Sequence, residues 1–422
     1  MTGITPLVFI ALLIIGVPIG LVLCLAAFAY ILASGNAVLL ESYPLKLFSS
    51  LDNFGLLAIP LFILIGEIMN GAGITTRLVR LASAFIGAVR GGLAYVNLLA
   101  NMFVASILGS ATAQIAMMSQ VMAPEMQRAG YDRAFAVGVT AFGGLLGPII
   151  PPSIVFVVYA VLAQVAVRDM LIAGILPGLL LTGLFLGTVA LMGLRYNYPR
   201  GERLSWGERG RACLKALPML AIPAVIVGTI LAGIASPTES AAIGALVATL
   251  IGLFYTRSLK LSDFPAILLR TGLNTALVLF LVAAAGVFSW VLIFGQVPQT
   301  AAIWIQEVAT SPVTFMLLVL VMLLIVGTVI DGIPGLIMVV PILLPIATEI
   351  YGIHPLHFGV VVSINLILGL LTPPVGIGLY VAASVTQVSA FRVFRMALPF
   401  FLVACFALIV LALVPWFSLA LL

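Results

Sequence analysis

Apolar runs of about 18 residues or more recur along the whole chain, separated by short polar loops. A helix of that length crosses the hydrocarbon core of a bilayer. The pattern therefore predicts an all-α, polytopic membrane protein. The predicted spanning helices are 4–34, 50–71, 134–166, 170–194, 215–236, 239–256, 272–296, 356–385 and 397–420. Amphipathic connectors are expected at 74–90 and 298–310. Two further apolar stretches, 97–124 and 314–347, are interrupted at their centres by "GSATAQ" (Gly109 to Gln114) and "GTVIDGIPG" (Gly327 to Gly335). Each reads as a re-entrant hairpin that enters and leaves the bilayer on one side.

Basic residues set the sidedness, because Lys and Arg accumulate in cytoplasmic loops. With both stretches as hairpins and a cytoplasmic N-terminus, sixteen of the eighteen Lys and Arg residues fall on the cytoplasmic side. They are Arg77, Arg80, Arg90, Arg128, Arg133, Arg195, Arg200, Arg203, Arg209, Arg211, Lys215, Arg257, Lys260, Arg270, Arg392 and Arg395. Only Lys46 and Arg168 face outward, and the C-terminus is expected in the periplasm. Turning either hairpin into a single span inverts everything after it and scatters the charges.

Composition agrees with one membrane domain over 1–422: the chain is 64% hydrophobic and 7% charged, against roughly 25% charged residues in soluble domains. The net charge of +5 is a topology signal here and not a nucleic-acid signal. The first 34 residues carry no basic leader region or evident cleavage motif, so they read as a retained helix. Cys24, Cys213 and Cys405 are widely scattered, and no disulfide or metal framework follows from them.

The stretches "GLLGPIIPPS" (Gly144 to Ser153) and "GLLTPPVGIG" (Gly369 to Gly378) would each snap a membrane helix. A shift of 222 residues lays Gly130 on Gly352, Gly147 on Gly369, Pro151 on Pro373 and Pro152 on Pro374. With small gaps, Pro124 meets Pro345 and Gly109-Ser110 meets Gly327-Thr328. The order of parts repeats too. One repeat covers 50–194, with hairpin 97–124 and broken helix 134–166. The other covers 272–420, with hairpin 314–347 and broken helix 356–385. Residues 195–271 lie between them. Five predicted crossings separate helices 50–71 and 272–296, so the second copy is inverted. Inverted repeats with paired broken helices characterise secondary transporters, and the breaks point to the binding site.

The breaks have chemical consequences. Prolines lack an N–H, so carbonyls one turn earlier lose their donors. Unpaired backbone at membrane depth survives only where protein, water or an ion satisfies it. The carbonyls of 143–147 and 365–369 are thus candidate ligands for a hard cation. The hairpin tips add the oxygens of Ser110, Thr112, Thr328 and Asp331. All-oxygen ligation with little formal charge suits Na⁺ better than a transition metal. The N-terminal ends of the second half-helices favour an anionic substrate. Asp331 stands out because a charge at the bilayer centre costs about 2.5–3.5 kcal/mol. Glu67 and Glu239 read as structural, Glu239 at a helix start capped by Ser236 or Thr238. His354 and His357 read as a solvated loop pair, and Trp206 as a headgroup-level residue.

Taken together, these residues resemble the large membrane subunit of a tripartite ATP-independent periplasmic (TRAP) transporter, the DctM-like family. The resemblance covers essentially the whole chain. It rests on "RLVRLASAFIGAVRGGLAYVN" (Arg77 to Asn97), "GPIIPPS" (Gly147 to Ser153), "SPTESAAIGAL" (Ser236 to Leu246), "PILLPIA" (Pro341 to Ala347) and "NLILGLLTPPVG" (Asn365 to Gly376). It implies an elevator-type transporter of the ion transporter superfamily kind, not an enzyme, in the bacterial inner membrane. It also implies Na⁺-driven uptake of a small organic anion such as a C4-dicarboxylate or sugar acid. The partners implied are a small four-helix membrane subunit and a periplasmic substrate-binding protein, with no cofactor beyond the coupling ion.

By position, the resemblance puts one sodium site around Gly109, Ser110, Thr112, Gly143, Gly147 and Pro148. It puts the other around Thr328, Asp331, Gly332, Gly369 and Thr372. Candidate substrate positions are Ser110, Ala111, Pro151, Ser153, Asn365, Pro373 and Gly376. The family's first hairpin often reads Ser-Gly-Ser where this chain has Leu108-Gly109-Ser110, and Thr372 stands where the first repeat has Ile150. A stand-alone Na⁺-coupled anion carrier of the same superfamily is the alternative. An intramembrane enzyme would need a catalytic cluster, and Asp331 is alone at depth.

Overall fold

The computed structural model describes residues 4–108, 110–196, 198–200 and 205–422. Among them, the only strand-like pairing is an isolated bridge between Arg90 and Arg200. Among the described residues, eight helices are long and apolar enough to cross a membrane.

The basic loops gather at one end of the bundle. Arg77 Nη2 reaches the Thr256 carbonyl at 3.4 Å, and Gly91 N–H donates to the Pro199 carbonyl at 3.1 Å. Tyr131 stacks on Tyr198 at 5.6 Å. Arg133 donates to the Thr386 carbonyl, and Arg392 meets Asp132 at 3.3 Å. We call this end the basic face. Arg168 lies at the opposite face. There its guanidinium donates to the carbonyls of Ile230 and Leu231, a cation on a helix C-terminus where the dipole favours it.

This frame gives each element a direction. Helix Ala58–Gly71 ends at the basic face and helix Phe264–Phe294 begins there. Glu67 and Arg270 pair between them at 2.7 Å, so these matched helices run antiparallel. Helices Gly92–Leu108 and Ala111–Arg128 form the first hairpin, whose outer ends meet Pro199 (from Gly91) and Tyr198 (from Tyr131). Helices Pro312–Val329 and Gly332–Pro345, extended by a π-turn Ile346–Ile350, form the second. Its outer ends meet at the opposite face, where Tyr351 Oη donates to the Ala309 carbonyl at 2.6 Å and the Tyr351 ring stacks on Phe315. The amphipathic connectors are Ile74–Ile86 and Val297–Val308.

Both interrupted helices are broken as the prolines require. The first is Arg133–Gly144 and Ile154–Leu162; the second is Pro355–Gly369 and Ile377–Thr386. Each break carries a cis Pro–Pro bond, Pro151–Pro152 and Pro373–Pro374. The two helices run in opposite directions. The hairpins and broken helices pack by exchange: Ala111–Arg128 lies on Ile377–Thr386, and Gly332–Pro345 lies on Ile154–Leu162.

Three expectations are corrected. The stretch 4–34 is two helices, Ile4–Ile14 and Ile19–Ser34, turned at Gly16 (φ +84°) and Pro18. The first has 11 residues and reaches about 16 Å at 1.5 Å per residue, short of the roughly 30 Å hydrocarbon core. The two fold back on each other. Phe9 stacks on Phe288 at 5.8 Å, and Thr5 and Pro6 line the same cavity as Tyr30, Val291 and Leu292. Helix Ile4–Ile14 therefore begins at the face opposite the basic loops. The last helix is Ala390–Leu413, and a short turn, Trp416–Leu419, follows a break at Pro415. His357 is not in a solvated loop. It is 2% exposed, with Nδ1 3.2 Å from Ser418 Oγ and Nε2 3.3 Å from the Ala412 carbonyl, so it holds the C-terminal turn at that same face. An additional helix, Ala37–Ser49, is capped by Asn36 Oδ1.

Candidate functional site

The two breaks and the hairpin tips are drawn together by the exchange just described. Ser110 and Asp331 occupy matching places as N-caps of the second hairpin arms. Ser110 Oγ accepts from Ala113 N–H at 3.4 Å and lies 3.1 Å from Thr112 Oγ1. Asp331 Oδ1 accepts from Gly332 N–H at 2.7 Å. One carboxylate oxygen is thus held by its own helix start, and the side chain is half-buried. Gly109 lies outside the described residues. Ala111 is buried at the start of its arm.

The second break is fastened to the second tip through the backbone. Gly376 N–H donates to the Thr328 carbonyl at 3.0 Å, while Thr328 Oγ1 donates to the Ile325 carbonyl. Gly327 and Gly369 meet main chain to main chain: a Cβ on Gly369 would sit 2.5 Å from the Gly327 carbonyl carbon. Thr372 Oγ1 donates to the Leu368 carbonyl at 3.0 Å. Beyond it, Pro373, Pro374 and Val375 are exposed. Asn365 sits a turn earlier, 1% exposed, and its amide donates to the Leu320 carbonyl on the first arm of the hairpin.

The first break is different in kind, because Gly143, Gly147, Pro148, Pro151 and Pro152 are all buried. Ser153 is spent locally: it donates to the Pro148 carbonyl and caps the Phe156 N–H. Pro151 faces an apolar cavity of about 290 Å³ shared with Met102 and Leu220. Neither residue is presented to a polar ligand.

What sequence reasoning missed is a buried amide chain running from the first hairpin to this break. Asn97 Nδ2 donates to Thr140 Oγ1 at 2.6 Å. Asn101 Nδ2 donates to Asn97 Oδ1 at 2.8 Å. Gln114 Nε2 donates to the Asn101 carbonyl at 2.8 Å and to its Oδ1 at 3.1 Å. All four side chains are fully buried. The chain of donors leaves Gln114 Oε1 as a buried acceptor with no hydrogen-bond partner among the described residues. A Cβ on Gly147 would lie 2.2 Å from that oxygen, so it points at the break. An unpaired buried acceptor costs about 1–3 kcal/mol, and a cation is one way to offset it. The available signal was Asn97 and Asn101 at i, i+4 inside an apolar run, since polar side chains at membrane depth are expensive.

Among the described residues no group of three or more His, Cys, Asp or Glu forms a metal cluster. The oxygens on offer are amide, hydroxyl, backbone and one carboxylate, a donor set suited to a hard monovalent ion.

Residues 7–417 match the family profile of the tripartite ATP-independent periplasmic transporter, DctM component. The chain belongs to the DctM family of TRAP transporter large permease subunits. The C4-dicarboxylate TRAP transporter large permease protein of Pseudomonas aeruginosa is 38% identical over 90% of this chain and 89% of its own length. The sialic acid TRAP transporter large permease protein of Vibrio cholerae is 34% identical over 98% and 96%. These DctM relatives are named as transporter permeases, not enzymes. The fold is similar to that of the Alcanivorax borkumensis YdaH transporter, with a TM-score of 0.64, 16% identity, and coverage of 91% of this chain and 89% of that one. The DctM profile thus spans both hairpins and both breaks.

Proposed function

We propose that this DctM subunit carries out Na⁺-coupled uptake of a small organic anion across the inner membrane, alongside a small membrane subunit and a periplasmic binding protein. The basic face is cytoplasmic in this reading. Both chain ends then lie in the periplasm, which replaces the cytoplasmic N-terminus expected from a single helix over 4–34. Both hairpins are re-entrant, and they move with the broken helices as one elevator core.

The observation that carries the reading is the buried Gln114 Oε1, aimed at the first break without a partner. Na⁺ at the first break is held by Gln114, the Ser110–Thr112 pair and break carbonyls. A second ion is held by Asp331 and carbonyls around Thr372, close to the Thr328–Gly376 stitch. With no cationic side chain at the tips, the substrate carboxylate rests on the bound cation and on helix N-terminal N–H groups. The names of the relatives favour a carboxylate, either a C4-dicarboxylate or a sialic acid.

The test is uptake of labelled succinate and sialic acid into proteoliposomes holding this subunit, its small subunit and its binding protein. An inward Na⁺ gradient is expected to drive accumulation that a K⁺ gradient does not. Equal uptake with either cation refutes the coupling. Accumulation without the binding protein identifies a stand-alone carrier.

A further inference from the structure

At the basic face, a cavity of about 710 Å³ opens between the connector Ile74–Ile86, the start of helix Trp206–Leu231 and the π-turn Ile251–Tyr255. Its charged lining is Arg77, Arg80, Arg211, Lys215 and Glu208, with Tyr255 on the wall. Among the described residues, four cations against one carboxylate leave a surplus of three positive charges. The carboxylate is already committed: Glu208 Oε2 accepts from the Ser205 N–H and hydroxyl, both at 2.8 Å. The Arg80 and Lys215 side chains have no hydrogen-bond or ion-pair partner among the described residues; the Lys215 carbonyl accepts from Tyr255 Oη at 3.4 Å. Arg77 and Arg211 make only long contacts, at 3.4 Å, to Thr256, Ser258 and Gly207 oxygens.

The helices that build the cavity carry an apolar surface beside it. Leu214 is 69% exposed, Leu217 57% and Phe254 70%. Trp206, 82% exposed, opens the same helix with Arg209 5.1 Å from its ring centre, the arrangement of an interfacial aromatic. A polar end rich in guanidinium next to an apolar wall matches an amphiphile and not a free anion. Guanidinium groups bind phosphate oxygens in pairs, and basic pockets between membrane helices on the cytoplasmic side take anionic lipid headgroups.

We propose that this cavity is a binding site for the phosphodiester headgroup of an anionic membrane lipid, with its acyl chains lying along Leu214, Leu217 and Phe254. The lipid ties the connector of the first repeat to helix Trp206–Leu231, which the chain places between the repeats.

The experiment measures thermal unfolding of the purified full chain in detergent as phosphatidylglycerol is titrated. Phosphatidylcholine and inorganic phosphate serve as separate arms, and the double variant Arg80→Gln, Lys215→Gln is compared. Both positions are exposed, so folding is retained; Arg80→Lys, Lys215→Arg checks that charge is what matters. Phosphatidylglycerol is expected to raise the midpoint, phosphatidylcholine and phosphate to leave it unchanged. The neutral variant should bind roughly twenty-five-fold more weakly, at about fivefold per lost cation, and the charge-conserving variant should bind like wild type. Equal shifts with phosphatidylcholine, or an unaltered response in the neutral variant, overturn the proposal. A shift with inorganic phosphate alone identifies a soluble-anion site instead. Protection of Lys215 from an amine reagent only by the small subunit, in lipid-free detergent, identifies a protein interface and also overturns it.

Discussion

The backbone N–H of Gly376 donates to the carbonyl of Thr328 at 3.0 Å, so the second hairpin and the second break share a main-chain hydrogen bond. Just before it, Gly327 and Gly369 leave no room for a side chain between the same two segments. Gly369→Ala places a methyl against the Gly327 backbone, which cannot swing aside as a side-chain tip can. The expected cost is about 1–3 kcal/mol together with a near-total loss of uptake. A thermal midpoint and transport rate both at wild-type values would show that the contact is not needed.

Gln114→Leu keeps volume close to constant and deletes the oxygen that faces Gly147 together with the two hydrogen bonds to Asn101, so some loss of stability is expected in any case and the Na⁺ dependence is the deciding readout. If that oxygen holds the coupling ion, the Na⁺ concentration for half-maximal uptake should rise about tenfold, with the substrate affinity of the separate binding protein unchanged. A purely structural amide would lower the thermal midpoint and leave the Na⁺ dependence where it was. Asn97→Ala is the comparison. It removes the Thr140 anchor, one turn before the break and not facing Gly147, and is expected to destabilise the buried chain without a comparable change in Na⁺ dependence.

Asp331→Asn separates capping from charge. Asparagine retains an oxygen for the Gly332 N–H, and it caps helices as well as aspartate does. Stability should therefore stay within about 0.5 kcal/mol of wild type, while Na⁺-driven uptake falls by an order of magnitude or more. Reconstituted variant with unaltered uptake and an unaltered sodium requirement would falsify a role for this carboxylate in coupling.

The fold-back of Ile4–Ile14 on Ile19–Ser34 makes a topological prediction. In a background with Cys24, Cys213 and Cys405 replaced by serine, single cysteines are added before Met1, after Leu422 and at Ser258. An impermeant thiol reagent applied outside intact cells should label both ends and spare position 258. Labelling of the C-terminal cysteine but not the N-terminal one would restore a single crossing over 4–34.

How much of this was legible beforehand differs from element to element. The hairpin positions, the connectors and both breaks follow from local properties: apolar run length, the missing N–H of proline and the clustering of Arg and Lys. Those properties act within a turn or two of the residue concerned, so reading along the chain recovers them. The fold-back at Gly16–Pro18 was signalled by the same residue types, but a kinked span and a turned pair share that pattern. The choice depends on whether Phe9 finds Phe288 on a helix some 280 residues away.

The candidate site shows the same division. Ser110, Thr328 and Asp331 were visible because polar residues interrupt an apolar run there. The sequence alone gave no sign that Ser153 turns inward to cap its own half-helix, that Pro151 and Pro152 are sealed while Pro373 and Pro374 lie open, or that Gln114 is the oxygen aimed at the first break. Ser153 finds its partners within its own break, Gln114 is turned by Asn101 on the other arm of its hairpin, and the exposure of the prolines depends on what packs against each break. What the sequence determined by itself was where the backbone must break and which oxygens stand near the breaks. Which of those oxygens is left without a donor was decided only by tertiary packing, because a hydrogen bond is made or missed by a neighbour distant in the chain.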